Sequence, residues 1–347
     1  DALPLPAPAF LMRLLLLLTF YLHLLAMNAM LGGILVTLWA RFRSRNPGDA
    51  WASLADTIAG TTPSLVAATV TLGVAPLLFL QTLMGQFFFT SSILMGWGWF
   101  SVVVVLIFAY YGAYLQSFRG EKLGTLRTPL LIVTAALFLW VGFMFSNNTS
   151  LMAAVDKWPG MYFADPRGLW LNLKDATLAP RYLHAVGGAV AITGLMLAWW
   201  NRNSHMARTG LTAFNWATLA NALIGLWYLA ALPREAMLMF MGGNPAATVL
   251  LVSAMVLTAA VLILGFRARQ VPGAVRLPIT LVTAAIMAVM VLMRDMSRAV
   301  ILADHYQPAR FAVKTQGLNL ALFVLLLLGG VAVVVWMVRK LRQTWSA

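Results

Sequence analysis

The chain has 347 residues, 61% of them hydrophobic and only 10% charged, with a mean hydropathy of +0.84. Soluble domains carry roughly 45–50% apolar and about 25% charged residues, so a soluble enzyme, a disordered chain and a nucleic-acid-binding module are excluded despite a net charge of +14. The absence of cysteine removes disulfides, iron–sulfur clusters, thiolate metal sites and c-type haem attachment, and leaves four histidines as the whole supply of imidazole.

About 20 apolar residues cross a bilayer as a helix. On that measure nine spans are predicted, near 17–41, 60–84, 92–117, 128–146, 180–200, 211–232, 245–266, 275–297 and 317–338. Arg41, Arg43 and Arg45 follow the first span, and Arg119, Lys122 and Arg127 the third. Arg202 and Arg208 follow the fifth, Arg267, Arg269 and Arg276 the seventh, and Arg339, Lys340 and Arg342 the ninth. Set against Asp49, Asp56 and Glu121, these 14 basic residues leave +11 on one side. The positive-inside rule makes that side cytoplasmic, with the N-terminus outside a bacterial inner membrane. The basic charge then reports topology, not a partner. A chain that starts at Asp1 fits removal of an upstream signal peptide and fits a truncated sequence equally. Among the outer loops only 147–179 is long, and its segment 166–176 reads as a helix or turn in the interface, with Trp158 and Trp170 at headgroup depth.

Two spans share a pattern. Tyr21-Leu22-His23 precedes Arg41 by eighteen residues counted from the histidine, and Tyr182-Leu183-His184 precedes Arg202 by the same number. At the constant offset of 161, Gly33 aligns with Gly194 and Trp39 with Trp200. The expected architecture is an all-α polytopic membrane protein built as a parallel repeat of two four-helix bundles plus one helix. Its segments are a first bundle in 1–146, an interfacial loop in 147–179, a second bundle in 180–300, and an outer loop with the ninth helix in 301–347.

Eighteen residues of helix span about 27 Å, so both histidines lie near the outer boundary. An imidazole there needs either a hydrogen bond to a neighbouring helix or a metal, because an unpaired polar group in lipid costs several kcal/mol. Two histidines at one depth in a repeat point to haem ligation by at least one. His205, in a basic turn, and His305, in an outer loop, read as solvated. Arg294, Asp295 and Arg298 form a charged set at the outer end of the eighth span, where Asp295 can pair with either arginine. Met237, Met239 and Met241 follow Arg234 and Glu235, and Met287, Met290, Met293 and Met296 recur along the eighth span. Methionines at helical spacing fill cores, yet a thioether is also an axial haem ligand opposite histidine.

With these residues in place, the chain resembles subunit I of the cytochrome bd quinol oxidases. That resemblance implies nine spans with the N-terminus outside, and haem-ligating histidines in spans one and five. Tyr21-Leu22-His23 is similar to the first site and Arg181-Tyr182-Leu183-His184 to the second. The family's second ligand at its low-spin b haem is a methionine near span seven, which Met239 or Met241 matches by position. Asp295-Met296-Ser297-Arg298 resembles the Glu-x-Gly-Arg motif of span eight, and Leu72-Gly73-Val74-Ala75 a segment of span two, with Gln81 in place of a glutamate. The departures bear on activity. No carboxylate lies between Asp56 and Glu121, where the oxidases carry glutamates for haem and protons, and the outer quinol loop is reduced to about 233–244.

The implied function is a haem b membrane subunit, with one or two haems, that links the quinone/quinol pool to a periplasmic c-type cytochrome or another redox subunit without reducing oxygen. The haem-binding set is His23, His184, Met239, Met241 and Met293, with Arg181, Arg234 and Arg298 for propionates or quinone oxygens. Glu235 and Asp295 are the candidate quinol proton acceptors. The alternatives are a haem-free quinone-binding anchor of a periplasmic oxidoreductase and a transporter; the latter lacks a mid-membrane coupling carboxylate.

Overall fold

The computed structural model describes residues 4–200, 204–269, 276–308 and 311–346, with the backbone alone for Trp200, Ser204, Val338 and 341–346. Arg202, the Trp200 side chain of the proposed repeat and the Arg342 side chain therefore lie outside the described residues. The helices are α1 (Ala9–Arg43), α2 (Ala50–Leu94), α3 (Gly96–Arg119), α4 (Arg127–Met152), the short α5 (Trp158–Ala164), α6 (Leu178–Trp200), α7 (Ser204–Ala231), the short α8 (Arg234–Leu238), α9 (Pro245–Ala268), α10 (Arg276–Ile301) and α11 (Gly317–Ser346). Their starts follow from local chemistry. Asp49 caps α2, accepting from the Ala52 amide at 2.7 Å and the Arg45 amide at 2.8 Å, and these donors hold its carboxyl down at about 2. Asn244 caps α9 in the same way, with Pro245 preset at the first helical position.

Eight of these helices are long and apolar enough to cross a membrane: α1 to α4, α6, α9, α10 and α11. The sixth predicted span corresponds to α7, a 28-residue helix that falls short in hydropathy. Its sequence carries Asn215, Asn221, Trp216, Trp227 and Tyr228, and Asn215 is buried in the protein. The chain is thus an all-helical membrane protein whose described residues include one isolated backbone bridge and no strand.

Helices pair as α1 with α2, α3 with α4, α6 with α7 and α9 with α10, and the two halves meet along α1 and α6. Lengths repeat: α3 and α9 have 24 residues each, α4 and α10 have 26 each. The α1–α6 seam is backbone-close. A side-chain carbon on Gly32 would overlap the Ala189 carbonyl and the Thr193 hydroxyl, and Thr193 faces the Asn28 carbonyl at 3.5 Å. Only glycine permits that approach.

One end of the assembly carries the arginines that follow α1 and α3; here Asp56 on α2 pairs with both Arg41 and Arg127. We call it the basic end. At the other, the histidine end, residues 5–6 run beside 312–316: the Leu5 amide donates to Ala312 at 2.8 Å, and the Lys314 and Gln316 amides donate to Leu5 and Pro6 at 2.9 Å. This pairing closes over Met12, Phe87, Phe88 and Leu302. Segment 166–176 forms turns, as expected, whereas the helical piece is α5 just upstream. The tryptophans make specific contacts within the protein. Trp158 Nε1 donates to the Leu151 carbonyl at 2.8 Å and Trp170 Nε1 to Asp165 at 2.9 Å, and both pack on the Met95–Met144–Leu151 cluster.

Candidate haem and quinone site

The repeated triplet has a structural meaning. His23 reaches from α1 to its neighbour α2, where Nδ1 contacts the Thr69 carbonyl at 3.0 Å and the ring lies over Gly73. His184 reaches from α6 to α7 with its ring against Gly225 and Nδ1 toward the Asn221 backbone. In each case the histidine faces a backbone carbonyl and a glycine four residues further on. The two tyrosines, two residues earlier, point the other way. Tyr21 donates to the Ala284 carbonyl of α10 at 3.2 Å, and Tyr182 to the Leu139 carbonyl of α4 at 3.0 Å. Each tyrosine therefore grips the opposite half while each histidine grips its own.

The two histidine contacts differ in one respect. Nδ1 of His23 is bonded, whereas Nδ1 of His184 is buried without a hydrogen-bond partner. A histidine whose Nδ1 is turned to a carbonyl presents Nε2 as its free ligand nitrogen.

Arginines gather beside these rings. Arg181, one turn before His184, donates to Thr177 Oγ1 at 2.9 Å and lies over the Tyr228 ring at 5.5 Å. Arg294 stacks on Phe20 at 4.5 Å, with Arg181, Arg298 and Asp295 as its charged neighbours. The expected choice of partner for Asp295 resolves otherwise: it is 4% exposed and pairs with Arg298 and with Arg13 from α1, not with Arg294. Two guanidiniums, those of Arg13 and Arg298, thus share the Asp295 carboxylate, and Arg294 lies close by without pairing to it. Arg181 Nη1 and Arg298 Nε are buried with no acceptor. Arg181 is steadied from the loop side by a polar network in which Asp175 accepts from Ser150 and Thr177, and Asn172 donates to Ser150 at 2.8 Å.

The methionines separate. Met239 is 8% exposed and packs in a cluster with Met237, Met293, Met296 and Tyr228, whereas Met241 is 63% exposed. Both precede the seventh predicted span, in line with its predicted bounds of 245–266. They sit in a wide turn between α8 and α9, where Gly242 has φ +111. Glu235 and Arg234 are exposed in the first turn of α8, at the same end. Away from the site, His205 stands exposed at the start of α7 with its ring edge-on to Trp51. His305 is not free in its loop: Nε2 meets Asp156 at 3.2 Å.

No family profile and no curated protein matches the sequence. The fold, by contrast, is similar to a chain of the bd oxidase from Geobacillus thermodenitrificans, with a TM-score of 0.72. The match covers 97% of this chain and 100% of that chain at 15% identity. This chain has a bd oxidase fold. The residues that complete the site within that fold were not singled out from sequence: Thr69, Asn221, Gly225, Arg13 and Tyr228. Backbone carbonyls leave no side-chain signature, and Arg13 meets Asp295 across 282 residues. Gly73 did stand in a marked segment, Leu72-Gly73-Val74-Ala75, but its place beneath His23 needed the fold.

Proposed function

We propose that the chain is a haem b-binding electron-transfer subunit of a bacterial inner membrane, working between the quinone pool and a periplasmic c-type cytochrome or another redox subunit. In this reading the basic end is cytoplasmic and the histidine end periplasmic. The observation that carries it is the excess of cationic groups beside two carbonyl-oriented histidines. Buried guanidinium nitrogens with no acceptor, at Arg181 and Arg298, fit the carboxylates of a porphyrin. Haem, when bound, supplies a one-electron iron couple.

The chain's own residues have separable tasks. His184 and His23 offer Nε2 to iron, and Met239 is the better placed thioether on burial grounds, with Met293 in the same cluster. Arg181, Arg294 and Arg298 neutralise carboxylates at the histidine end. Asp295 already serves two arginines, so Glu235, exposed in the 233–244 turn beside Arg234, is the better quinol proton acceptor. No carboxylate lies between Asp56 and Glu121 to feed protons toward oxygen, and the reading excludes oxygen reductase activity.

A pyridine haemochrome spectrum of the purified protein tests this directly. Wild type should contain b haem, and His184→Ala should lose a sharp reduced α band that His205→Ala keeps. A haem-free wild type would overturn the reading in favour of a quinone-binding anchor. Quinol-driven oxygen uptake at the rate of a terminal oxidase would overturn its non-oxidase part.

A further inference from the structure

Below His184, toward the basic end, the second half holds a column of buried polar atoms that the proposed electron-transfer role does not use. Asn215 on α7 is 1% exposed, and neither its Nδ2 nor its Oδ1 has a partner. Asn221 Oδ1, Trp199 Nε1 and His184 Nδ1 are likewise buried and unpaired. Glycines of α6 and of α9 face the two asparagines from either side of α7. Asn221 Oδ1 lies against Gly187 and its Nδ2 beside Gly188, while Asn215 presses on Gly265 of α9. Beneath Asn215 is a cavity large enough for one water, lined by Leu195, Trp199, Leu211, Ala268 and Arg276. Leu211 is one helical turn below Asn215 on α7, and Ala268 is one turn beyond Gly265 on α9. The cavity therefore continues the column instead of standing apart from it.

A partnerless amide in a lipid-embedded core costs several kcal/mol, and four such groups in sequence are not sustained by packing. Buried polar groups of this kind are satisfied by ordered water. Asn221 and Asn215 are six residues apart, about 9 Å along the helix, a gap that a short hydrogen-bonded chain of waters bridges. We propose that the α6–α7–α9 seam holds an ordered water column running from the cavity at Trp199 past Asn215 and Asn221 to the underside of His184. The first half has a cavity of similar size lined by Ile34, Thr37, Thr62, Gln116 and Thr134, but there Thr37, Thr62, Gln116 and Thr134 are each hydrogen-bonded to a backbone carbonyl, and His23 Nδ1 is bonded to Thr69.

The proposal stands whether or not haem is bound. It is tested by an experimental structure of the wild-type protein in lipid nanodiscs at a resolution that shows ordered water. Solvent density within hydrogen-bonding distance of the Asn215 amide, Asn221 Oδ1 and Trp199 Nε1 is expected. Protein groups bonded to those atoms, or empty space around them, would overturn it. Asn215→Leu and Asn221→Leu give an independent reading, because leucine nearly matches asparagine in shape. A dry, unpaired amide gains stability on that change, whereas a hydrated one loses its water bonds. Lower unfolding temperatures for both variants support the column, and higher ones overturn it.

Discussion

Gly32 of α1 rests directly on the Ala189 carbonyl of α6, while Asn28, one turn earlier on α1, meets Thr193, one turn later on α6. Adding the repeat offset of 161 to positions 28 and 32 gives 189 and 193. The two contacts are therefore images of each other under exchange of the halves. A seam with that property is what two similar halves packed about a shared axis produce.

The seam tolerates no added atom. Gly32→Val should destabilise the protein by about 1–3 kcal/mol, the range for forcing bulk into a packed core. Gly60→Val, where a side-chain carbon meets nothing within 4 Å, should leave the unfolding temperature nearly unchanged. Thermal unfolding in detergent compares the two.

Tyr21 and Tyr182 brace opposite halves through their hydroxyls. Each Tyr→Phe change should cost about 1 kcal/mol, one lost hydrogen bond. The double variant should cost about twice that if the two braces act independently. A denaturation series of the four proteins measures it, and no loss in either single variant would remove the bracing role.

The glycines beneath the two histidines are not equally tight. A methyl on Gly73 would come within 2.9 Å of His23 Cε1, and one on Gly225 within 3.3 Å of His184 Cε1. Gly73→Ala should therefore displace the His23 ring and alter any signal arising from that site. Gly225→Ala should leave the His184 signal nearly intact. Haem content and spectra of the two variants decide; equal effects would speak against ring displacement as the cause.

Met239 and Met241 are two residues apart and differ in burial. If His184 holds haem as proposed, Met239→Leu should lower the midpoint potential of that haem, since thioether ligation raises it, while Met241→Leu should leave it unchanged. Redox titration followed at the reduced α band compares them. A shift confined to Met241→Leu would reverse the assignment.

Acid should act through the α2 cap. The Asp49 carboxyl, ordinarily at 3.8, is held at about 2 by the amides it accepts from. Its contribution is present above 3.8 and is lost as pH falls through about 2. Asp49→Ala should thus lower the unfolding temperature at neutral pH and flatten its dependence on pH across that acid window. Asp49→Asn, which keeps a capping oxygen, should restore much of the neutral-pH loss.

How far the sequence could be read depended on what kind of group made each contact. Span positions and the Tyr-Leu-His triplets were legible because they rest on hydrophobic runs and side-chain identity. The grip of His23 on Thr69 was not, because the acceptor is a backbone carbonyl that any residue supplies. Asp295 was singled out, yet its partner Arg13 lies at the far end of the chain. Helix α7 blurred the span count for a related reason: its asparagines face the neighbouring helices, Asn221 toward α6 and Asn215 toward α9, which dilutes the apolar signal. Between Met239 and Met241 no local motif set the register, and only burial distinguished them.

The backbone pairing of residues 5–6 with 312–316 joins the approach to α1 to the approach to α11. Domains generally form as the chain emerges, N-terminal parts first. Here residues 5–6 must wait, their amides and carbonyls without their final partners, until some three hundred residues later the stretch before α11 reaches the same face. Premature termination anywhere upstream of 312 would leave Leu5 and Pro6 unpaired over the Met12–Phe87 cluster, a signal by which an incomplete chain differs in surface chemistry from a finished one.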